Sequence, residues 1–396
     1  MGRLATAPIA KELFGQWRNQ PLGGALAACR DLLEDTEFPI VHAWKERGGK
    51  VLGHFQVYFP EELAHAAGVL PVKVRGAPIE LRQADSHFGS YLCSILRSSL
   101  ELALTGKLPL DLFVTHPICD AARNLAGVWA RNFSYPSRIL YLPQNPNSSY
   151  AAQYLRDEYE RMLEEIEDLA GRSVSEDDLR RSIRVFNENR HLIRELYRIR
   201  RTAPWLLAAD EAYVFIAVGS VLPREEHNAM LASVIPLIAA RPGRRQDRMR
   251  VVFEGGFCEQ PPLDLLNVIS QSCYVVDDDL LIGLRWILED VPKSSDPLRA
   301  LATAYIDRSS YSPVQHDLRK PKEEMLLRRI RESDAAAAII AAAKMCEPGL
   351  DEQAAYMRAL ESAKVPFFIT EFEEKMTSFD QLQVQLETFV ENLLFE

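Results

Sequence analysis

Six cysteines carry the most distinctive chemistry of this sequence, at positions 29, 93, 119, 258, 273 and 346. Three of them lie just beyond an apolar run: Cys119 beyond "LDLFVT", Cys258 beyond "MRVVF" and Cys346 beyond "AAAAIIAAA". Such runs, each followed by a helix-like pattern, are typical of strands in a parallel sheet. Ligands bind beyond the carboxyl ends of these strands, so we expect three thiols at ligand-binding positions.

The other three cysteines have different settings. Cys93, in "SYLCSILRSS", falls inside a helix predicted over 86–105 with Ser86 as its cap, and Cys29 lies on an amphipathic helix. Cys273 opens the strand "CYVVDDD", at the end opposite to the ligand edge. A single cysteine is more often a small buried apolar side chain than a ligand. Several cysteines at the ligand edges of two sheets shift the balance toward ligation.

The spacing of the cysteines narrows the kind of metal site. No CxxC pair and no HExxH motif is present, which argues against the common zinc sites. The compact ferredoxin run is also missing. Three thiolates from separate loops can still hold an iron–sulfur cubane and leave one iron open to a non-protein ligand.

Candidate acid–base residues lie beside the cysteines and in one helix. His116 and Asp120 flank Cys119, where they can relay protons, although Asp120 is equally suited to cap the following helix. His227, in "PREEHNAML", is a candidate acid or a surface residue. Three consecutive aspartates, Asp277 to Asp279, either bind a cation, donate protons or form a solvated turn.

The pattern of elements predicts an α/β fold. Residues 1–150 alternate strands and helices, residues 151–248 form a helical segment that ends in the exposed linker "RPGRRQDR", and residues 249–396 alternate again. We therefore expect two doubly wound, Rossmann- or flavodoxin-like parallel-sheet domains with an intervening helical segment.

Composition excludes several other classes. A net charge of −10 argues against a nucleic-acid surface, which needs clustered lysine and arginine. The start lacks a secretory signal, and the run at 335–343 is too short to span a bilayer, so we expect a cytoplasmic protein with no membrane partner and reduced cysteines. No GxxxxGK[ST] loop is present, and we expect no ATP binding of that type.

Several motifs resemble those of the 2-hydroxyacyl-CoA dehydratase and benzoyl-CoA reductase superfamily. They are "FPEELAHAAGVLPV", "SYLCSILRSSLELAL", "HPICDAARNLAGVW", "RSIRVFNENRHLIRELY", "LPREEHNAML", "FEGGFCEQPPLDLL", "SCYVVDDD" and "MCEPGLDE", spread over residues 50–360. "GGFCEQPP", "CYVVDDD" and "EEHN" favour the reductase branch, and within it the C-type subunit of the ATP-dependent (class I) enzymes.

The resemblance implies a cofactor and a reaction. It places a [4Fe-4S] cluster on Cys93, Cys119 and Cys346, next to an acyl-CoA site. The chain would be the substrate-site subunit of an enzyme that adds two electrons and two protons to benzoyl-CoA, giving a cyclohexadiene carbonyl-CoA. Its implied partners are a paralogous B-type subunit, a separate ATPase pair that activates electrons, and reduced ferredoxin. His116, Asp120 and His227 are the candidate proton donors.

Three alternatives stay open at this point. Cys258 is a further candidate ligand, and a double-cubane [8Fe-9S] cluster would also need Cys29 and Cys273, whose predicted positions argue against it. The second alternative is a 2-hydroxyacyl-CoA dehydratase subunit, in which an electron is recycled to eliminate water. The third is a non-catalytic electron-relay subunit.

Overall fold

The protein, seen in a computed structural model, is described for residues 20–55, 58–89, 92–255, 261–279, 287–311, 317–373 and 375–395. Within these ranges its strands are β1 (Val51–Phe55), β2 (Leu70–Val74), β3 (Leu112–Thr115), β4 (Ser137–Ile139), β5 (Met249–Glu254), β6 (Cys273–Asp278), β7 (Ala337–Ala343) and β8 (Phe367–Phe372). The strands form two four-stranded, fully parallel sheets. The predicted α/β class with two doubly wound sheets is confirmed.

The helices flank the sheets and connect successive strands. They are α1 (Leu22–Glu34), α2 (Pro39–Glu46), α3 (Glu61–Ala67), α4 (Ser94–Leu104), α5 (Asp120–Asn132), α6 (Ala151–Ala170), α7 (Glu176–Thr202), α8 (Ala209–Ala217), α9 (Arg224–Ala239), α10 (Leu263–Ser272), α11 (Pro297–Arg308), α12 (Lys322–Glu332), α13 (Glu347–Ala363) and α14 (Asp380–Phe395). Four of them, α6 to α9, lie between the last strand of the first sheet and the first strand of the second.

The two sheets repeat one strand order. The first is ordered β2-β1-β3-β4 and the second β6-β5-β7-β8, so that in each sheet the first strand lies between the second and the third. The chain direction across each sheet therefore reverses between β1 and β3, and between β5 and β7. Such a switch point opens a crevice at the carboxyl ends of the two strands, where doubly wound proteins bind ligands.

Five of the seven residues of β7 are alanine, yet the strand lies inside the second sheet, between β5 and β8. All seven of its residues are buried, and it pairs with β5 on one side and β8 on the other. A strand covered on both faces reads as a continuous apolar run instead of an alternating one, which explains the sequence pattern.

The long helix α7 connects the two sheets. It begins at a capping box in which the Ser175 hydroxyl accepts from the Asp178 amide, and the Asp178 carboxylate accepts from the Ser175 amide. Along its length α7 packs against α3, which follows β1, against α9 and against β6. No helix in the described part of the chain is long and apolar enough to span a membrane.

Two predicted elements differ from the observed ones. The helix predicted over 86–105 begins only at Ser94, because Ala84–Ser86 form a separate 3₁₀ turn; Ser86 does not cap this helix, and Cys93 takes the cap position instead. The run "SRILYLP" (137–143) predicts a longer strand than the observed β4, which ends at Ile139. Helices α2, α8 and α11 are not predicted by the sequence pattern.

Candidate functional site

Three cysteines occupy the same structural position in three different helices. Cys93, Cys119 and Cys346 are the N-cap residues of α4, α5 and α13 respectively. A helix N-terminus carries partial positive charge and unpaired amide groups, and it stabilises an anion placed there. The three helix N-termini therefore stabilise negative charge, either on the cysteine sulfurs or on a group that these sulfurs bind.

The three caps open onto one cavity of about 160 Å³, which we call the cysteine cavity. Its wall is completed by Leu92, Ile95, Leu96, Asp120, Ala121, Ala122, Met345, Glu347 and Pro348. Cys93 and Cys119 come from the part of the chain that builds the first sheet, and Cys346 from the part that builds the second. The cavity thus lies where the ligand edges of the two sheets meet.

Strand order explains why these cysteines meet. Cys119 follows β3 and Cys346 follows β7, and these strands occupy equivalent places beside the two switch points. Each connection is short, so the helix begins within a few residues of the strand end. Cys93 reaches the same place from the start of the helix that precedes β3.

The environment of Cys119 disfavours an uncompensated thiolate. Burial raises the pKa of this thiol; the hydrogen bond from the Ala122 amide to Cys119 Sγ, at 3.3 Å, opposes the shift, and the nearby Cys346 and Glu347 add to it. Close negative charges that repel one another need a positive centre between them. A bound metal centre would supply that charge.

The three thiols are the type of ligand that an iron–sulfur cluster takes. In the part of the chain that the structure describes, no three His, Cys, Asp or Glu side chains lie close enough to hold one metal ion. A cubane is wider than an ion and spreads its thiolate ligands apart, and thiolates are the ligands that such clusters take. The described cysteines form no disulfide bond, so their sulfurs are available as thiols.

The cavity rim contains two residues that the sequence motifs did not single out. Met345 has a positive φ of 60° and is 63% exposed, and Glu347 opens α13. A strained backbone next to a candidate ligand is typical of functional sites. Their position on either side of Cys346 is the signal in the sequence that could have identified them.

His116 lies behind Cys119 in the interior, where one ring nitrogen has a partner and the other has none. Its Nδ1 lies 3.3 Å from the Leu140 carbonyl oxygen, to which it donates, while Nε2 is buried with no hydrogen-bond partner among the described residues. Burial lowers the pKa of His116 to about 3, helped by the charge of His54. The ring is therefore neutral near pH 7, and its Nε2 lone pair can accept a hydrogen bond but carries no proton to donate.

Asp120 lies at the surface, at the first position of α5. Its side chain is 83% exposed and pairs with Arg123 at 2.9 Å. The alternative in which Asp120 caps the helix is wrong, because the cap is Cys119, whose sulfur accepts the Ala122 amide. Asp120 does line the cysteine cavity, so it keeps access to a ligand there.

His227 is placed away from the cysteine cavity. It is fully buried, Nε2 donates to the Phe215 carbonyl at 2.8 Å, and Nδ1 accepts from Asn189 at 2.9 Å and from Arg224 at 3.2 Å. Burial, together with the Arg224 charge, lowers its pKa to about 3. Both nitrogens are thus occupied, which supports a structural role and not that of a surface residue.

The remaining cysteines divide into two groups. Cys29 on α1 and Cys273 at the amino end of β6 are buried, 0% and 1% exposed, and neither lines the cysteine cavity. Burial raises the pKa of Cys273 to about 12, as expected for an inert thiol. Cys258 lies outside the described residues.

The three aspartates at the end of β6 form a buried set of ion pairs and not a solvated turn. Asp277 pairs with Arg201, Asp278 with Arg200 and Asp279 with Lys322. All three carboxylates are at most 2% exposed. The cations they bind are the protein's own, and two of these come from α7.

Similarity to known proteins identifies the family to which the chain belongs. A sequence profile described as 2-hydroxyglutaryl-CoA dehydratase, D-component, matches residues 56–393. The chain belongs to this family. The resemblance found in the motifs is thereby confirmed.

Three characterised relatives match nearly the full length of the chain. The C-type subunit of benzoyl-CoA reductase from Thauera aromatica is 34% identical over 93% of this chain and 97% of its own. The beta subunit of lactoyl-CoA dehydratase from Anaerotignum propionicum is 29% identical over 88% and 93%. The beta subunit of (R)-2-hydroxyglutaryl-CoA dehydratase from Acidaminococcus fermentans is 26% identical over 88% and 94%. Each relative is a subunit of an enzyme, and so is this chain.

Proposed function

We propose that the chain is the iron–sulfur, substrate-site subunit of an ATP-dependent benzoyl-CoA reductase. The observation that carries the proposal is the meeting of three N-cap cysteines in one cavity, in a chain 34% identical to the C-type subunit of a benzoyl-CoA reductase. The reaction is a two-electron reduction of the aromatic ring to a cyclohexadiene carbonyl-CoA, with reduced ferredoxin as the electron source.

In this proposal Cys93, Cys119 and Cys346 hold a [4Fe-4S] cluster. Bound there, the cluster would supply electrons one at a time at low potential, with one iron lacking a protein ligand. The residues of the chain bind it through three helix N-termini, and the apolar wall of Leu92, Ile95 and Leu96 limits water around it. A dry surrounding strengthens the electrostatic interactions inside the site.

His116 does not act as the proton donor that its position near Cys119 in the sequence predicts. Because it is neutral and donates through Nδ1 to Leu140, it presents only an acceptor to the interior. We assign it to orientation of a hydroxyl or amide donor, not to proton donation. Asp120, exposed at the cavity, remains the candidate acid of this pair.

The proposal requires partners. The chain lacks a P-loop, so ATP hydrolysis must take place on a separate ATPase pair that activates the electrons. The relatives are named as C-type or beta subunits, which supports a second, paralogous subunit beside this one. The double-cubane alternative loses support, because Cys29 and Cys273 are buried away from the cysteine cavity.

A second candidate function is a 2-hydroxyacyl-CoA dehydratase subunit, which the family profile and two of the relatives favour. The test is an anaerobic assay of the assembled complex with ATP and a low-potential reductant. Reduction of benzoyl-CoA with ATP consumed in proportion to product supports the reductase. Dehydration of a 2-hydroxyacyl-CoA with only catalytic ATP, and no reduction of benzoyl-CoA, would overturn it.

A further inference from the structure

Two buried carboxyl groups meet at the ligand edge of the second sheet. Glu254 is the last residue of β5, and Asp279 directly follows β6, the neighbouring strand. The Asp279 amide donates to the Phe253 carbonyl at 3.2 Å, which brings the two side chains together. Each carboxyl residue is only 1% exposed. The aspartate run in the sequence includes Asp279, but no motif marks Glu254.

The two groups have unequal partners. Asp279 Oδ1 accepts from the Gly255 amide at 3.0 Å, and Lys322 Nζ lies 3.0 Å from Asp279 Oδ2 in an ion pair. Glu254 Oε1 accepts from Arg329. The environment thus stabilises the charge on Asp279 with an amide and an ammonium group, and the charge on Glu254 with one guanidinium.

Two buried polar atoms near this pair have no hydrogen-bond partner among the described residues. They are Glu254 Oε2 and the hydroxyl of Tyr356, which is buried, at 1% exposure, on α13; Asp279 Oδ2, in contrast, lies against the Lys322 ammonium. An ionised Glu254 cannot donate to the Asp279 carboxylate beside it. A proton on Glu254 Oε2 turns it into a donor to that carboxylate and supplies the partner that Glu254 Oε2 lacks.

We propose that Glu254 and Asp279 share one proton near pH 7 and act as a proton store for the reaction at the cysteine cavity. The second half of this proposal rests on the proposed reductase function.

The electrostatics agree with this assignment. Burial raises the pKa of Glu254 well above its usual range, against the opposing charge of Arg329, and the Asp279 carboxylate raises it further. The pKa of Asp279 is lowered although burial opposes this, because Lys322 and the hydrogen bond with Glu254 favour its ionised form. The proton therefore resides on Glu254.

Among the described residues, two further carboxyl groups act on the partners of the pair. Asp277 on β6 contributes to the field at Arg329, and Glu352 on α13, together with the pair itself, contributes to the field at Tyr356. The same surroundings raise the pKa of Tyr356 well above its ordinary value, mainly through burial, so the hydroxyl stays protonated as a donor.

The residue after Glu254 lies near Cys346, which lines the cysteine cavity. Gly255 follows Glu254 and packs against the first turn of α13, the helix that Cys346 caps. A β-carbon added at Gly349 would lie 3.7 Å from the Gly255 carbonyl oxygen and 3.6 Å from Cys346 Sγ. The proton store is thus next to the wall of the site it is proposed to serve.

The chemistry of ring reduction needs such a store. Two electrons from the low-potential donor and two protons form two C–H bonds in each turnover. In one of these steps the O–H bond of Glu254 breaks and its proton ends on a ring carbon. Both carboxylates are then ionised opposite Lys322 and Arg329, until a proton from water restores the pair.

The first test is infrared spectroscopy of the chain purified without a cluster. The wild type should show one carbonyl band of a protonated carboxyl group near pH 7, shifted in D₂O. The band should be missing in Glu254→Gln and present in the control Glu352→Gln, which changes a carboxyl on the neighbouring helix. No such band in the folded wild type would overturn the proposal. If Glu254→Gln does not fold, the pH dependence of the wild-type band decides instead.

The second test measures turnover of the assembled complex. Glu254→Gln should lower kcat for benzoyl-CoA reduction about 100-fold with little change in KM, the size of effect typical of a lost acid. An unchanged kcat would overturn the role as a proton store even where the infrared band is present. Because the infrared test needs no activity, its outcome stands apart from the question of whether benzoyl-CoA is the substrate.

Discussion

Cys119 and Cys346 are equivalent residues in two halves of one chain. Each follows the third strand of its sheet, each is the N-cap of the helix that comes next, and the two open onto a single cavity. The cysteine cavity therefore arises from a repeated strand order: two switch points face each other, and each contributes a thiol.

The buried cysteine on α1 provides a matched control for the cluster ligands. We expect Cys29→Ser to lower the free energy of unfolding by about 1–3 kcal/mol, because it places a hydroxyl in an apolar core. Its iron content should equal that of the wild type. Urea unfolding and iron analysis check this, and a loss of iron in Cys29→Ser would show that the cluster reaches α1.

Gly255 is expected to be intolerant of any side chain. Its φ is +111°, and an added β-carbon would lie 2.6 Å from the Ala341 carbonyl oxygen, in backbone that cannot move aside. We expect Gly255→Ala to cost about 1–3 kcal/mol of unfolding free energy through strain. Gly349→Ala is the control, since its nearest contact is 3.6 Å. Equal stabilities in denaturant titrations of the two variants would contradict this account.

The sequence placed Cys119 and Cys346 correctly because strand ends and helix starts are local patterns. It misplaced Cys93 because nothing in 86–105 marks the break between the 3₁₀ turn and α4. The ion-pair partners of the aspartates could not be predicted from the sequence, because they are distant along the chain. Asp278 pairs with Arg200, which is 78 residues away, and the packing of α7 on β6 brings the two together. Burial of His227 likewise depends on tertiary contacts that periodicity does not reveal.

Acid should destabilise the protein through its buried histidines. The pKa of His116 falls to about 3 in the folded state, below the ordinary value of 6.5, because burial excludes its charged form. The unfolded chain therefore takes up a proton on His116 at a higher pH than the folded protein does. This contribution to the free energy of unfolding is fully present above pH 6.5 and is lost as the pH falls from 6.5 toward 3.

His116→Asn isolates this effect, because the asparagine amide can still donate to Leu140. We expect the variant to show a shallower loss of unfolding free energy with falling pH, by up to about 1.4 kcal/mol per pH unit. The measurement is urea unfolding at several pH values. Parallel curves for wild type and variant would mean that His116 does not titrate as its burial requires.

The buried ion pair of Arg200 and Asp278 should be costly to break. Their side chains are 1% and 2% exposed, and the Tyr197 hydroxyl also donates to Asp278 at 2.5 Å. Arg200→Met leaves a carboxylate without its charge partner, and we expect a loss of about 3–5 kcal/mol. Arg82→Met, at the exposed pair with Glu80, should leave the stability nearly unchanged, because solvent screens this pair. A thermal or denaturant series that ranks the two equally would be inconsistent with the buried network.

The central claim is that Cys93, Cys119 and Cys346 together hold one cubane. The most direct measurement is iron and sulfide analysis with Mössbauer spectroscopy on the anaerobically purified chain and its single Cys→Ser variants. We expect about four irons per chain and a marked loss of cluster in each variant at these three positions. The variants Cys29→Ser and Cys273→Ser should keep the full cluster content of the wild type. About eight irons, or an intact cluster in Cys119→Ser, would contradict the account.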